Sequence, residues 1–366
     1  MRISPLKDTL KSLGASFEER YGVEVVSRIY DKEKEYHFVR DTAGITDFSH
    51  VQKFRVPEET GLDFLDTLLA GNVARIRFGR VLHTFLSDEA GMILADCYVA
   101  NNDEEFIVLC ESITDDAKVR EIFTKDASAG VTDITDDHVV IGVDGFKAWS
   151  VIKDLFGADI LGLPYLSIET YGFDGTDVKL FRAGKTSEFG YQLLAPVSIA
   201  EKLFAALCDG AKKVDGGVCS VSIHSDLRLE GRFFNIFGEG AKVKDPLVLG
   251  LQYMIDFDKE SFCGRDAILA RRDAGLKNKI IGISAEKGID LETGMSIYNG
   301  DKEVGKVQSV CFSYTLDATL GLALLDIDVA YSGLSFNLKS AGGPVVNTIS
   351  MPPIIPKSLS VKLDEI

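Results

Sequence analysis

The 366-residue sequence predicts an α+β chain of two or three domains that ends in a β-rich unit. Three observations carry this reading. The length exceeds what one ordinary core organises, at roughly 100–200 residues per domain. Short strand and short helix patterns alternate as far as about residue 275, without internal repeats. After the charged stretch Ala270 to Lys279 the character changes. From Ile280 to Ile355 nearly everything reads as strand, punctuated by Gly, Asp and the hairpin signal Asn299-Gly300. That last unit is expected to be a small barrel or sandwich.

In chain order, Leu62 to Ala70 places Leu62, Leu65, Leu68 and Leu69 on one helical stripe, with Gly71 where a C-terminal cap belongs. Arg75 to Leu86 reads as extended. Ile93 to Ala100 and Glu105 to Cys110 are β-rich runs around Asn101-Asn102-Asp103-Glu104, a hairpin pattern. Thr114 opens a helix that closes near Thr124. Phe146 to Phe156 is amphipathic and stopped by Gly157. Val178 to Arg182 and Tyr191 to Leu194 are strands flanking a turn with Gly184 and Gly190. Ser198 is the expected cap of a helix that turns Ile199, Leu203, Phe204 and Leu207 inward.

The charge balance narrows the function classes. Forty basic against 56 acidic residues leave a net charge of −16, so the bulk field repels nucleic acid, whose phosphates need clustered Lys and Arg. An anionic ligand therefore needs a locally positive pocket. No window reaches the ~18 apolar residues of a membrane span, and the start lacks a signal-peptide apolar region. Six scattered cysteines without C-x-x-C, and five scattered histidines without H-E-x-x-H, read as reduced thiols and no bound catalytic metal. The expectation is a cytoplasmic chain.

Chemistry concentrates at two acids. In Met92 to Val99, alternation places Leu94, Asp96 and Tyr98 on one face and Ile93, Ala95, Cys97 and Val99 on the other. Both faces are otherwise apolar, so Asp96 is a carboxylate in a buried strand and needs a proton, a hydrogen-bonding ligand or a cation. It is either a site residue or a structural Asp satisfied by backbone amides. Glu188, in Gly184-Lys185-Thr186-Ser187-Glu188-Phe189-Gly190-Tyr191, is either a solvated loop acid or an acceptor for two N–H donors of a flat heterocycle.

Longer motifs extend the pattern. Val39 to His50 resembles V-R-x-x-A-G-x-x-D-x-S-H, and Gly91 to Val99 falls on G-G-x-x-D-D-L-x-V. Arg182 to Leu193 falls on R-T-G-Y-T-G-E-x-G-[FY]-E-[IL], and Leu227-Arg228-Leu229-Glu230 on L-R-L-E. Phe262 to Ala267 matches F-x-G-[RK]-[ED]-A, and Ser309 to Leu316 resembles S-x-x-F-S-P-T-L. Six motifs in one order, from about residue 37 to 325, make the chain similar to the aminomethyltransferase family: the glycine cleavage T-protein and its tetrahydrofolate-dependent relatives. The resemblance implies an α+β, three-domain T-protein-like fold around a central folate-binding hole, with a C-terminal β-barrel. The expected division is a discontinuous first domain (1–51 and 140–235), an inserted second (52–139), a connecting segment (236–275) and the barrel (276–366).

The resemblance assigns roles residue by residue. Asp96 takes the second aspartate of the D-D pair, Ala95 replacing the first, and so the catalytic role. Glu188 aligns with the acid that holds the pterin edge, which puts the ligand between Asp96 and Glu188. Tyr253, with Tyr98 and Arg228, is expected at the cofactor, Tyr253 stacking on it. Departures are equally informative. The tyrosine of R-T-G-Y-T-G-E is Lys185, a site tyrosine upstream of the D-D strand is His83, and the arginine before L-R-L-E is His224. These three either supply positive charge for a folate carboxylate, contact a different donor, or mark drift at a rim; for His83 a satisfied core imidazole is a further reading. The implied activity is transfer of a one-carbon unit to tetrahydrofolate, from an aminomethyl group on a lipoyl carrier protein. An O-, S- or N-demethylase of the same fold is the second reading, a non-catalytic folate-binding accessory protein the third. Arg232 to Glu239 lacks the cysteine of such accessory proteins, which counts against that third reading.

Overall fold

The computed structural model describes residues 1–363. An N-terminal helix (Lys7–Ser12) and a hairpin of Ser16–Arg20 with Val23–Arg28 lead in, turning on Tyr21 and Gly22, both at positive φ. Two sheets then build the body. One has six strands in the order Ser167–Phe173, Thr176–Arg182, Gly190–Pro196, His138–Asp144, Gly44–Asp47, Gly217–Cys219, antiparallel except for the last pair. The other has five: Val81–Ser87, Ile93–Asn102, Glu105–Ser112, Gln52–Pro57, Thr132–Asp133.

The sheets stack face to face. Val81, Tyr98, Ala100, Ile107 and Leu109 of the five-stranded sheet share one apolar cluster with Val140, Phe181 and Leu194 of the six-stranded sheet. Their outer faces are covered by helices, as two-layer packing requires. Glu58–Leu68 and Asp116–Thr124 cover the first, Ala148–Phe156 and Ala200–Lys212 the second. Strands buried on both faces explain why Ile93–Asn102 carries apolar residues at nearly every position.

The third unit is a closed six-stranded barrel: Asn278–Ala285, Ala318–Asp326, Lys302–Ser313, Ser296–Asn299, Ser335–Leu338 and Val345–Ile349, which returns to the first strand. This decides between the barrel and the sandwich. Closure leaves no open edge to template pairing with another chain. Beyond the barrel, the chain folds back onto the six-stranded sheet through a 3-10 turn at Lys357–Ser360, and the half-buried Val361 and Leu363 pack against its core. No helix among the described residues is long and apolar enough to cross a membrane.

Four local expectations are corrected. The helix ends at Leu68, and its free carbonyls are satisfied by the buried Lys259 ammonium, which bonds the carbonyls of Asp66, Leu69 and Gly71. Gly71 is therefore no cap; a Cβ there would lie 2.9 Å from Thr84 Oγ1. Ser198 lies inside a 3-10 turn (Val197–Ile199), so the N-cap falls to Ile199 with no side-chain bond. Arg75 to Leu86 is not continuously extended: Asn72 caps a turn at Val73–Arg75, and the strand starts at Val81. A bulge pairs Leu86 with Ala95 but Ser87 with Ile93. It breaks the alternation, so Leu94 packs with Ala95, Cys97 and Val99.

Candidate functional site

The site lies between the two sheets, where register decides which side chains meet. Asp96 pairs across the ladder with Glu111, and Tyr98 with Leu109 on one side and His83 on the other. Alternation then points Asp96, Tyr98, Glu111 and His83 at the six-stranded sheet. From that sheet come Gln192, on Gly190–Pro196, and Lys185, on the loop before it; Arg228 enters from the Val221–Gly231 helix.

The loop approaches this closely because it is glycine-hinged. A Cβ on Gly184 would stand 2.7 Å from Asp144 Oδ1 and 2.8 Å from the Cα of Gly190. Only hydrogen fits there. Lys185 is thereby thrust between the two acids of the facing sheet. Its ammonium pairs with Asp96 Oδ2 and lies 3.2 Å from Glu111 Oε2 and 4.8 Å from the centre of the Tyr98 ring. His83 Nε2 meets the other Asp96 oxygen at 2.7 Å, and Arg228 reaches Glu111 Oε1 at 2.9 Å.

Burial alone would raise the Asp96 carboxyl, but the charges of Lys185 and His83 outweigh it and hold the group below the usual carboxylate range. Glu111 behaves likewise: burial opposes, Arg228 and Lys185 prevail, and the carboxyl sits well below its ordinary value. Asp96 is thus neither protonated nor satisfied by backbone amides; the Lys185 ammonium and the His83 ring occupy its two oxygens. The remaining space, bordered by Phe48, Val51, Asp96, Tyr98, Glu111, Lys185, Gln192 and Arg228, is about 10 Å³, room for one water. Around it, Tyr98 Oη and Arg228 Nε are buried without a hydrogen-bond partner. Unpaired buried polar atoms are costly, and both residues border this space.

Other expected residues lie elsewhere. Glu188 is buried, lies 3.7 Å from Arg40 Nη1, and its two oxygens accept from the backbone amides of Lys357 (3.2 Å) and Ser358 (2.9 Å). Its lone pairs hold the C-terminal segment, and it is not among the residues that border the space at Asp96. His224 is buried, bonded to Thr46 Oγ1 at 2.8 Å and edge-on to Phe48; burial pushes its pKa down to about 3, which leaves it uncharged. It supplies no positive charge. Tyr253 is 69% exposed and lines a separate outer cavity of about 460 Å³. Sequence reasoning had missed Glu111 and Gln192, both of which line the chamber.

This architecture has known counterparts. The GCVT N-terminal domain model matches residues 6–259, and the glycine cleavage T-protein C-terminal barrel domain model matches residues 278–355. The chain belongs to the glycine cleavage T-protein family. An aminomethyltransferase of Mycobacterium avium is 29% identical over 358 residues, 96% of each chain. One of Bdellovibrio bacteriovorus is 25% identical over 361 residues, 98% of this chain and all of that one. In fold, the crystal structure of glycine cleavage system aminomethyltransferase T from Bartonella henselae superposes with a TM-score of 0.83 at 20% identity, covering 97% and 98% of the two chains. The family membership makes this chain an aminomethyltransferase-like enzyme, a transferase of one-carbon groups, and the T-protein fold with its terminal barrel is the one observed.

Proposed function

We propose that the chain transfers a one-carbon unit to tetrahydrofolate at Asp96, in the cytoplasm, as in glycine cleavage. The observation that carries this reading is a fully buried carboxylate, held ionised, facing unpaired polar atoms between two sheets. Tetrahydrofolate, when bound, supplies the ring nitrogen that accepts the carbon. The donor set fits such a ligand: Tyr98 Oη, Arg228 Nε and the Gln192 amide offer donors and acceptors to a flat polar ring. The space does not yet admit it. Entry requires the long Lys185 side chain to swing off Asp96, which its flexible stem permits.

Released from Lys185, Asp96 Oδ2 faces the reacting groups with His83 still on Oδ1. An ionised carboxylate there stabilises positive charge developing on the donor carbon and can take up the proton lost from the accepting nitrogen. The four chamber charges, Lys185 and Arg228 against Asp96 and Glu111, balance, so a neutral ring meets no uncompensated charge.

The donor in the aminomethyltransferase version is an aminomethyl group on a lipoyl carrier protein. A tetrahydrofolate-dependent demethylase (methyltransferase) is the second reading, and one observation favours it. Lys185, where the family motif has tyrosine, forms an ion pair with the proposed catalytic acid itself. Turnover assays with tetrahydrofolate and either aminomethylated lipoyl carrier or methylated small molecules separate the two. Asp96→Asn is expected to lower turnover about 10²–10⁴-fold, the usual range for a positioned acid–base group. Unchanged turnover in that variant sinks the assigned role.

A further inference from the structure

A second buried polar cluster gathers residues that the chemistry at Asp96 does not use. Arg40, Thr186, Glu230 and Thr315 come from the stretches Val39 to His50, Arg182 to Leu193, Leu227 to Glu230 and Ser309 to Leu316. Tyr36, on the same helix as Arg40 (Lys32–Asp41), completes it. Tyr36, Arg40, Thr186 and Glu230 are all buried. The Arg40 guanidinium gives Nε and Nη2 to Glu230 Oε2 at 3.1 and 2.8 Å, and Nη1 to the Thr186 carbonyl at 2.5 Å. The Tyr36 hydroxyl donates to Glu230 Oε1 at 2.8 Å and lies 2.7 Å from Thr315 Oγ1, in a turn of the barrel.

Both partners of Arg40 are chain neighbours of the chamber cations. Glu230 is two positions past Arg228 on the Val221–Gly231 helix, and at 3.6 residues per turn their side chains leave nearly opposite faces. Arg228 thus reaches Glu111 on one side of the helix while Glu230 is held on the other. Thr186 directly follows Lys185, so its pinned carbonyl fixes the backbone from which Lys185 reaches Asp96 and Glu111. A planar guanidinium with its donors in a rigid fork holds both partners at once; an ammonium on a flexible stem is a point charge and cannot impose that spacing.

We propose that Arg40 is a positioning residue for the one-carbon transfer: its guanidinium clamps Glu230 to the Thr186 carbonyl and so sets the spacing of Arg228 and Lys185 across Glu111 and Asp96. It touches no reacting group and acts through those two cations. A buried ion pair often adds no net stability, so the value of this one lies in the geometry it imposes. The proposal rests on the reading of Asp96 as the ionised acid of the transfer. The titratable groups around Asp96 are His83, Tyr98 and Glu111 from its own sheet, Lys185 and Arg228 from the loop and the helix, and Tyr165 and Tyr253. His50 stands 3.6 Å from Glu111. Of all these, Lys185 and Arg228 are the two carried by Arg40's partners.

Carboxyl carbon-13 NMR titration of the full chain tests this, with Asp96→Asn and Glu111→Gln spectra assigning the two signals. In the parent both carboxyls titrate below the ordinary range. Arg40→Lys keeps a charge beside Glu230 but loses the fork, and is expected to move both titrations up by about one pH unit, as weaker pairing with a nearby cation allows. Should a thermal melt show that variant unfolded, Arg40→Met/Glu230→Met exchanges the buried pair for apolar side chains and is expected to give the same shift. Tyr36→Phe removes a hydroxyl from the same cluster but leaves the clamp; it is expected to lower the melting temperature and leave both titrations as in the parent. Turnover with tetrahydrofolate is expected to fall by up to about 10²-fold in Arg40→Lys, as a misplaced group allows. Titrations unmoved by the loss of Arg40, a shift shared by Tyr36→Phe, or unchanged turnover in Arg40→Lys each overturn the proposal. A parent that turns nothing over sinks the transfer reading, and the titrations decide the clamp independently.

Discussion

Lys185 is the residue on which the site's electrostatics turn. It compensates two buried carboxylates, and removing one partner of a buried pair leaves charge stranded in a medium that solvates it poorly. Lys185→Met is expected to cost about 3–5 kcal/mol in urea denaturation, and adding Asp96→Asn to recover part of that loss. Additive losses would show that the pair does not act as a unit. Asp144, against the Gly184–Gly190 hinge, makes a pH prediction. Burial first, opposed by Arg228, raises its pKa from 3.8 to about 7. The stability it contributes is complete below the unfolded value and lost as pH rises through about 7, because the folded state then ionises a buried acid. Asp144→Asn should therefore lose less stability between pH 5 and pH 8 than the parent, as read by denaturation at both values. Asp96 and Glu111 stay ionised throughout that window and do not mask the effect. Asp96 was legible in the sequence because a carboxylate in an apolar strand needs an explanation. Glu111 was not: a loop centred on Asn101 to Glu104 pairs Asp96 with Leu109. The observed two-residue turn at Asp103 and Glu104 moves that partner to Glu111.

At the scale of elements, the C-terminal segment holds the loop that carries Lys185. Glu188 takes the amides of Lys357 and Ser358, and Ser358 Oγ donates to the Ser187 carbonyl. Truncation after Pro356 removes those two hydrogen-bond donors and leaves the buried carboxylate with only the Arg40 guanidinium, 3.7 Å away. Hydrogen exchange at residues 183–189 is expected to accelerate, with the barrel strands unchanged; equal protection in the two proteins would show that the segment does not hold the loop. The strand and helix patterns were readable wherever periodicity was strong, as in Ile93–Asn102 and Ala148–Phe156. Boundaries failed where a distant residue set them. Lys259, 191 positions after Leu68, caps that helix, and no local motif announces it.

For the whole molecule, the change of pattern near residue 275 marked the barrel, because its strands alternate without intervening helices. The sandwich of the first two sheets was not legible, since nothing local says which apolar face meets which. That stacking is what makes a site from residues as distant as His83, Asp96, Lys185 and Arg228. It also revises the meaning of the net charge: the cations beside Asp96, Lys185 and Arg228, are spent on Asp96 and Glu111. A crystal structure with tetrahydrofolate bound tests the central claim most directly. The account predicts the ring system against Asp96, Tyr98 and Gln192, with Lys185 withdrawn from Asp96. Density that leaves the Lys185–Asp96 pair closed, with the ring bound elsewhere, would contradict it.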